Sequence, residues 1–162
     1  MPARRVVLDA NILVSALLTP LGPPGRVLEL ALVGEVVMYY DSRIMAEYRE
    51  VLGRPKYPFS SAQIAALLDQ LQAVGVPTIG APSVRLPDPD DAPFAEVAEQ
   101  AQAWLVTGNL RHYPGLRCAI GPASFLAAEQ TRAAAPPEAH GRPQMVPPPG
   151  ITHTRGAGQS SP

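Results

Sequence analysis

The sequence predicts an α/β fold built on a mostly parallel sheet. Strand-like and helical stretches alternate along the first 130 or so residues, an order that favours parallel strands covered by helices on both faces. The clearest strand candidates, Val6-Val7-Leu8 and Val36-Val37-Met38-Tyr39-Tyr40, are apolar throughout, as doubly covered strands are. With 162 residues and 46% hydrophobic content, there is material for one packed domain and a tail.

Each element has a local reason. Arg5 to Leu8 reads as a short buried strand and Asn11 to Leu18 as a helix, stopped by Thr19-Pro20-Leu21-Gly22-Pro23-Pro24-Gly25. Val27, Leu28, Ala31 and Leu32 are spaced for a helix over Arg26 to Val33, which Gly34 ends. The strand Val36 to Tyr40 follows. Asp41 or Ser42 caps a helix to Leu52, terminated by Gly53 and Pro55. Ser60 or Ser61 caps the next, Ala62 to Val74. Thr78-Ile79 and Val84-Arg85-Leu86 are Pro-flanked extended pieces. A helix spans Pro93 to Gln102, a strand Trp104 to Thr107, a last strand Arg117 to Ile120 and a last helix Pro122 to Gln130. This places a domain in residues 1–131. Residues 132–162, with Ala133-Ala134-Ala135-Pro136-Pro137 and Val146-Pro147-Pro148-Pro149-Gly150, lack periodicity and read as a disordered tail, either an inert extension or a proline-based partner segment.

Bulk charge and cysteine content narrow the classes. A formal net charge of -1 gives no global basic field, so any nucleic-acid contact needs a local patch. Cys118 is the single cysteine, which excludes an internal disulfide and suits a reducing compartment. The basic start Met1 to Arg5 leads into an apolar run that breaks at Asp9, too short for a signal segment. No run approaches the roughly 20 apolar residues of a membrane span, so a soluble cytoplasmic protein is expected.

Several polar residues sit where a fold of this class puts its ligand site, beyond the C-terminal ends of strands. Asp9 ends the first apolar strand, a costly place for an acid without a partner. Glu47 occupies the stripe of Ile44, Tyr48, Val51 and Leu52. It is either an edge glutamate with its head in water or a core-facing carboxylate in need of a cation or a pocket. Asp88, Asp90 and Asp91 precede the helix that buries Phe94, Val97, Ala98 and Ala101. Helix capping accounts for one of them, assigned to Asp90, and leaves Asp91 for chemistry. Thr107-Gly108-Asn109 closes a strand with a hydroxyl, a tight turn and an amide. This is an ordinary turn, or a holder of phosphate or metal-bound water.

Val-Val-Leu-Asp9-Ala-Asn11-Ile-Leu-Val-Ser, Ile44-Met45-Ala46-Glu47-Tyr48, Asp88-Pro-Asp-Asp91-Ala-Pro-Phe and Leu105-Val-Thr107-Gly108-Asn109-Leu together resemble a PIN domain. More narrowly, they resemble the PIN-type ribonuclease toxins of bacterial toxin–antitoxin pairs. The likeness covers residues 4 to 128 and is closed by Gly121-Pro122-Ala123-Ser124-Phe125-Leu126. It implies a three-layer α/β/α sandwich and one or two Mg²⁺ or Mn²⁺ ions. The implied ligands are Asp9, Glu47 and Asp91, with Asn109 at the family's fourth acidic position and Asn11 and Thr107 as polar helpers. It also implies an RNA substrate, an antitoxin partner and, frequently, a homodimer. The donor set lacks the His and Cys ligands expected of zinc. A dication there would activate a water for in-line attack on phosphorus. Arg43, Arg54, Lys56 and Arg111 are candidates for a basic rim on the RNA path, while His112 reads as a surface residue. Asn109 removes a charge, and so leaves open a PIN-like scaffold that binds RNA or a protein but cleaves poorly. A phosphatase with an aspartate nucleophile would want a second acid where Asn11 stands.

Overall fold

The computed structural model of the chain describes residues 3–81 and 86–134. The order is β1 (Arg4–Leu8), α1 (Ala10–Leu18), α2 (Pro23–Leu32), β2 (Val36–Tyr40), α3 (Ser42–Leu52), α4 (Ser61–Val74), β3 (Val76–Pro77), α5 (Ala92–Ala101), β4 (Trp104–Val106), β5 (Ala119–Ile120) and α6 (Pro122–Ala134). Short 3₁₀ turns at Pro89–Asp91 and Leu110–His112 precede α5 and follow β4. The five strands are all parallel, in the order β3-β2-β1-β4-β5. The chain leaves central β1 toward β2 and β3, then crosses back to β4. Right-handed crossovers therefore put α1 to α4 on one face and α5 on the other. The packing agrees: α5 lies on β1, β2 and β4, whereas α2 gathers α1, α4 and α6. The result is the α/β/α sandwich.

Val6, Val7, Leu8, Leu105 and Val106 are fully buried in the central strands, which accounts for their apolar runs. The expected stripes on α3 and α5 are buried as drawn. Asp41, not Ser42, caps α3 by accepting the Ile44 N–H at 3.0 Å. Ser60 caps α4 and exchanges hydrogen bonds with Gln63.

Several boundaries move. Helix α2 starts at Pro23, three residues early, because prolines fit the first turn, where no N–H is needed. The edge strand after α4 is Val76–Pro77, not Thr78-Ile79, although the Thr78 N–H still reaches the Tyr40 carbonyl at 2.7 Å. Leu86 is in no strand, while Val84 and Arg85 lie outside the described residues. Helix α6 continues to Ala134, past the expected domain end at 131, and the tail from residue 135 lies outside the described residues. Among the described residues no helix is long and apolar enough to cross a membrane.

Gly25 sets how closely the α1–α2 turn folds back. A Cβ there would stand 2.0 Å from the Pro20 carbonyl oxygen, backbone that cannot swing aside. Gly25→Ala is expected to cost about 1–3 kcal/mol, the range for overpacking, read as a lower melting temperature. An unchanged melt would mean that this turn is free to open.

Candidate active site

The crossover reversal leaves a crevice between the C-terminal ends of β1 and β4, where ligands bind in open α/β sheets. Asp9 stands at the end of β1 and is 5% exposed. Its backbone N–H donates to the Val106 carbonyl at 3.0 Å. Its side chain collects donors on one oxygen. Oδ2 accepts from Thr107 Oγ1 at 2.7 Å, Tyr113 Oη at 3.1 Å and Asn11 Nδ2 at 3.4 Å. Burial raises the Asp9 pKa, opposed chiefly by the Thr107 and Tyr113 hydroxyls.

Two neighbours of the other acids do the anchoring. Tyr48, next to Glu47, is fully buried and donates its hydroxyl to the Leu8 carbonyl at 2.6 Å. Its ring lies 6.1 Å from that of Phe94, three residues beyond Asp91. Helices α3 and α5 are thus pinned at the end of β1, and a cleft of about 370 Å³ opens there, walled by Asp9, Glu47, Asp90, Asp91, Arg54 and His112 among others. A larger groove of about 1000 Å³ lies by Tyr40, Met45 and Ile79, and none of Asp9, Glu47 and Asp91 lines it.

Glu47 resolves between its two readings: it is half-buried, on the cleft wall. Its pKa is raised by burial and then by Asp90 and Glu50, with Arg54 opposing. The Asp91 side chain is 14% exposed. Its pKa is pushed up to about 6, first by burial, then by the charge of Asp9. Asp91 Oδ2 is buried without a hydrogen bond, although His112 Nδ1 stands 3.4 Å away. Mutually repelling oxygen donors with an orphaned carboxylate oxygen are what a hard dication relieves. As they lie, however, no three acidic, histidine or cysteine side chains among the described residues are drawn close enough to hold an ion. The donor chemistry fits a divalent cation.

Several assignments change. Asp90 caps nothing and is exposed. It is Asp88 that accepts the Asp90 N–H, at 2.9 Å, so the cap belongs to the 3₁₀ turn before α5. Asn109, expected as the fourth member of the acidic set, is not on the cleft wall. Its backbone N–H donates to Thr107 Oγ1 at 3.0 Å, and its amide lies 2.9 Å from His112 Nε2. His112 is no mere surface residue: it spans Asn109 and Asp91 on the cleft wall. Gly108 has room for a Cβ, so glycine is not demanded there, and its N–H donates to Asn11 Oδ1 at 3.1 Å. Asn11 thus ties Asp9 to the β4 turn, and Thr107 ties Asp9 to Asn109.

The expected basic rim divides. Arg43 leaves it: its guanidinium is clamped by Asp41 at 2.7 Å and by buried Glu96 at 2.8 Å, beside the larger groove. Arg54 is on the cleft wall, paired with Glu50 at 2.8 Å. Lys56 and Arg111 are exposed. Tyr113 was missed because a tyrosine after a turn carries no spacing signal, whereas His112 was visible and underweighted. Cys118 is buried, and its thiol is pushed up to about 11 by that burial, which rules out a ready nucleophile.

Residues 5–111 match the PIN domain family. The chain belongs to the PIN domain family. It is 32% identical over 111 residues to the uncharacterized protein MJ1680 of Methanocaldococcus jannaschii, a match covering 65% of this chain and 70% of that one. Its fold is similar to that of VapBC2 from Rickettsia felis, crystallised bound to a DNA fragment from their promoter. The TM-score is 0.51 at 18% identity, over 72% of this chain and 96% of the other. PIN membership supports a nuclease class. Tyr113, which donates to Asp9, lies beyond the matched segment.

Proposed function

We propose that this PIN domain is a divalent-metal-dependent endoribonuclease, the toxin of a toxin–antitoxin pair. The observation that carries the reading is the buried, unbonded Oδ2 of Asp91, in a cleft where Asp9 and Glu47 add further carboxylates. Asp9, Glu47 and Asp91 would hold the ion, Mg²⁺ or Mn²⁺ on the all-oxygen donor set. When bound, the cation offsets the charge of the phosphate and lowers the pKa of a coordinated water.

The protein's part is orientation. Thr107, Tyr113 and Asn11 fix Asp9 through Oδ2, and the Thr107 and Tyr113 hydroxyls favour its ionised form. Tyr48 and Phe94 hold α3 and α5 so that Glu47 and Asp91 face the same space. His112 stands beside Asp91, where its ring reaches the cleft opening. Arg54 is placed to meet a phosphate at the rim. The fold likeness to VapBC2 supports a protein antitoxin as partner, and a second copy of this chain is a further candidate. A cytoplasmic location goes with this reading, and a single reduced cysteine suits it.

The test is incubation of the purified, antitoxin-free chain with a mixed RNA pool and Mn²⁺, Mg²⁺ or EDTA. Cleavage with a metal and none with EDTA supports the assignment. A folded protein inert with both metals favours a second reading, a PIN scaffold that binds RNA or a protein and cleaves poorly. Asn109, where the family has its fourth acid, is its support.

A further inference from the structure

The loop between α3 and α4 carries Arg54-Pro55-Lys56-Tyr57-Pro58-Phe59, two cations followed by two aromatics. The rings of Tyr57 and Phe59 stack, with centroids 5.6 Å apart and planes 20° from parallel. Both rings are half-buried, anchored against the core and open on the remainder. The Lys56 ammonium sits 5.2 Å from the centre of the Tyr57 ring. Prolines 55 and 58 restrict the backbone on either side of Tyr57, and the Tyr57 N–H closes the turn onto the Arg54 carbonyl at 3.0 Å. This stiff platform adjoins the acidic cleft, because Tyr57 and Arg54 are both on its wall.

A core-forming role explains the buried edges of these rings. It does not explain two half-exposed, mutually stacked aromatics with a cation over one ring, at the mouth of a cleft that repels phosphate. Stacking rings and adjacent cations are the equipment for an unpaired strand: bases stack on the rings, and phosphates meet Lys and Arg. A duplex hides its base faces and offers a ring nothing to stack on. We infer that Tyr57 and Phe59 form a base-stacking platform that selects single-stranded RNA and leads the adjoining phosphodiester to the acidic cleft. A base arriving on Tyr57 displaces the Lys56 ammonium, which turns to the neighbouring phosphate. The inference deepens the nuclease reading and rests on it for the choice of RNA.

The experiment measures binding, so that it stands apart from cleavage. Full-length Asp9→Asn protein with Mg²⁺ is titrated against a fluorescent single-stranded RNA and against the same RNA annealed to its complement. The single strand is expected to bind at least about tenfold more tightly. Tyr57→Leu should weaken single-strand binding about tenfold, and Tyr57→Trp, which keeps a stacking face, should not. Lys56→Gln, an exposed change without risk to folding, should weaken binding and flatten its salt dependence. Equal affinity for duplex and single strand overturns the platform, as does unchanged binding by Tyr57→Leu or binding to neither RNA. Single-strand binding by a wild-type chain that never cleaves keeps the platform and removes the nuclease. Cleavage with no Tyr57 effect does the reverse.

Discussion

Asp9→Asn is expected to lower metal-dependent RNA cleavage by at least about a hundredfold while leaving the melting temperature unchanged or higher. The two halves of this expectation have separate causes. The asparagine keeps the size of the side chain, and the Thr107 and Tyr113 hydroxyls that donate to Oδ2 can rotate to accept from an amide instead. What disappears is the negative charge, and with it the most deeply buried of the proposed metal ligands. Burial raises the pKa of Asp9, so its ionised form is a cost to the folded apoprotein that asparagine does not carry. Cleavage and thermal melting measured on one preparation check both halves. Full activity in the variant would remove Asp9 from the chemistry. Loss of activity together with a collapsed melt would make it a structural acid.

The metal-free protein is expected to lose stability as pH rises from about 4 to about 6, and divalent metal to restore it above that range. Asp91 has a folded pKa of about 6 against an ordinary 3.8. The folded state therefore holds its proton more tightly. The stabilisation is fully present below the ordinary value and is lost as pH climbs through the folded one, a swing on the order of 2 kcal/mol. A bound dication favours the ionised form and so binds well only above that pH. At about a hundredfold excess over Kd, Mn²⁺ should add roughly 2.7 kcal/mol, several degrees of melting temperature. The shift should be large at pH 7.5 and nearly absent at pH 5. Melting curves in EDTA and in Mn²⁺ across this range decide it, with Asp91→Asn expected to flatten both. An equal Mn²⁺ effect at the two pH values would place the ion elsewhere.

Much of this architecture was legible because it rests on local signals. The doubly apolar strands announce a parallel sheet, and Asp9 at the end of one of them marks the crevice before any topology is known. Glu47 betrayed itself by breaking a stripe whose other members are all buried. Contacts between distant segments were not legible. Nothing in the sequence ties Tyr113 to Asp9 across 104 positions, or Arg43 to Glu96 across 53. Arg43 looked like a free cation because its own helix face is polar; the approach of α5 adds Glu96 to the nearby Asp41 and completes the clamp. Asp88 and Asp90 exchanged roles because a 3₁₀ turn, not an α-helix, begins there.

The backbone of Asp9 is itself a rung of the sheet, since its N–H is bonded to the Val106 carbonyl where the buried ends of β1 and β4 lie side by side. In amide exchange this position belongs with the slowest unit of the molecule, which opens only when the domain does. The first acid is therefore a fixed datum. If the proposed ligand set is right, any approach to an ion falls to Glu47 on α3 and Asp91 in the 3₁₀ turn before α5. Sensitivity to the metal is accordingly expected in the exchange of the turn into α5 and the middle of α3, while the strand that leads into Asp9, the first proposed ligand, stays silent.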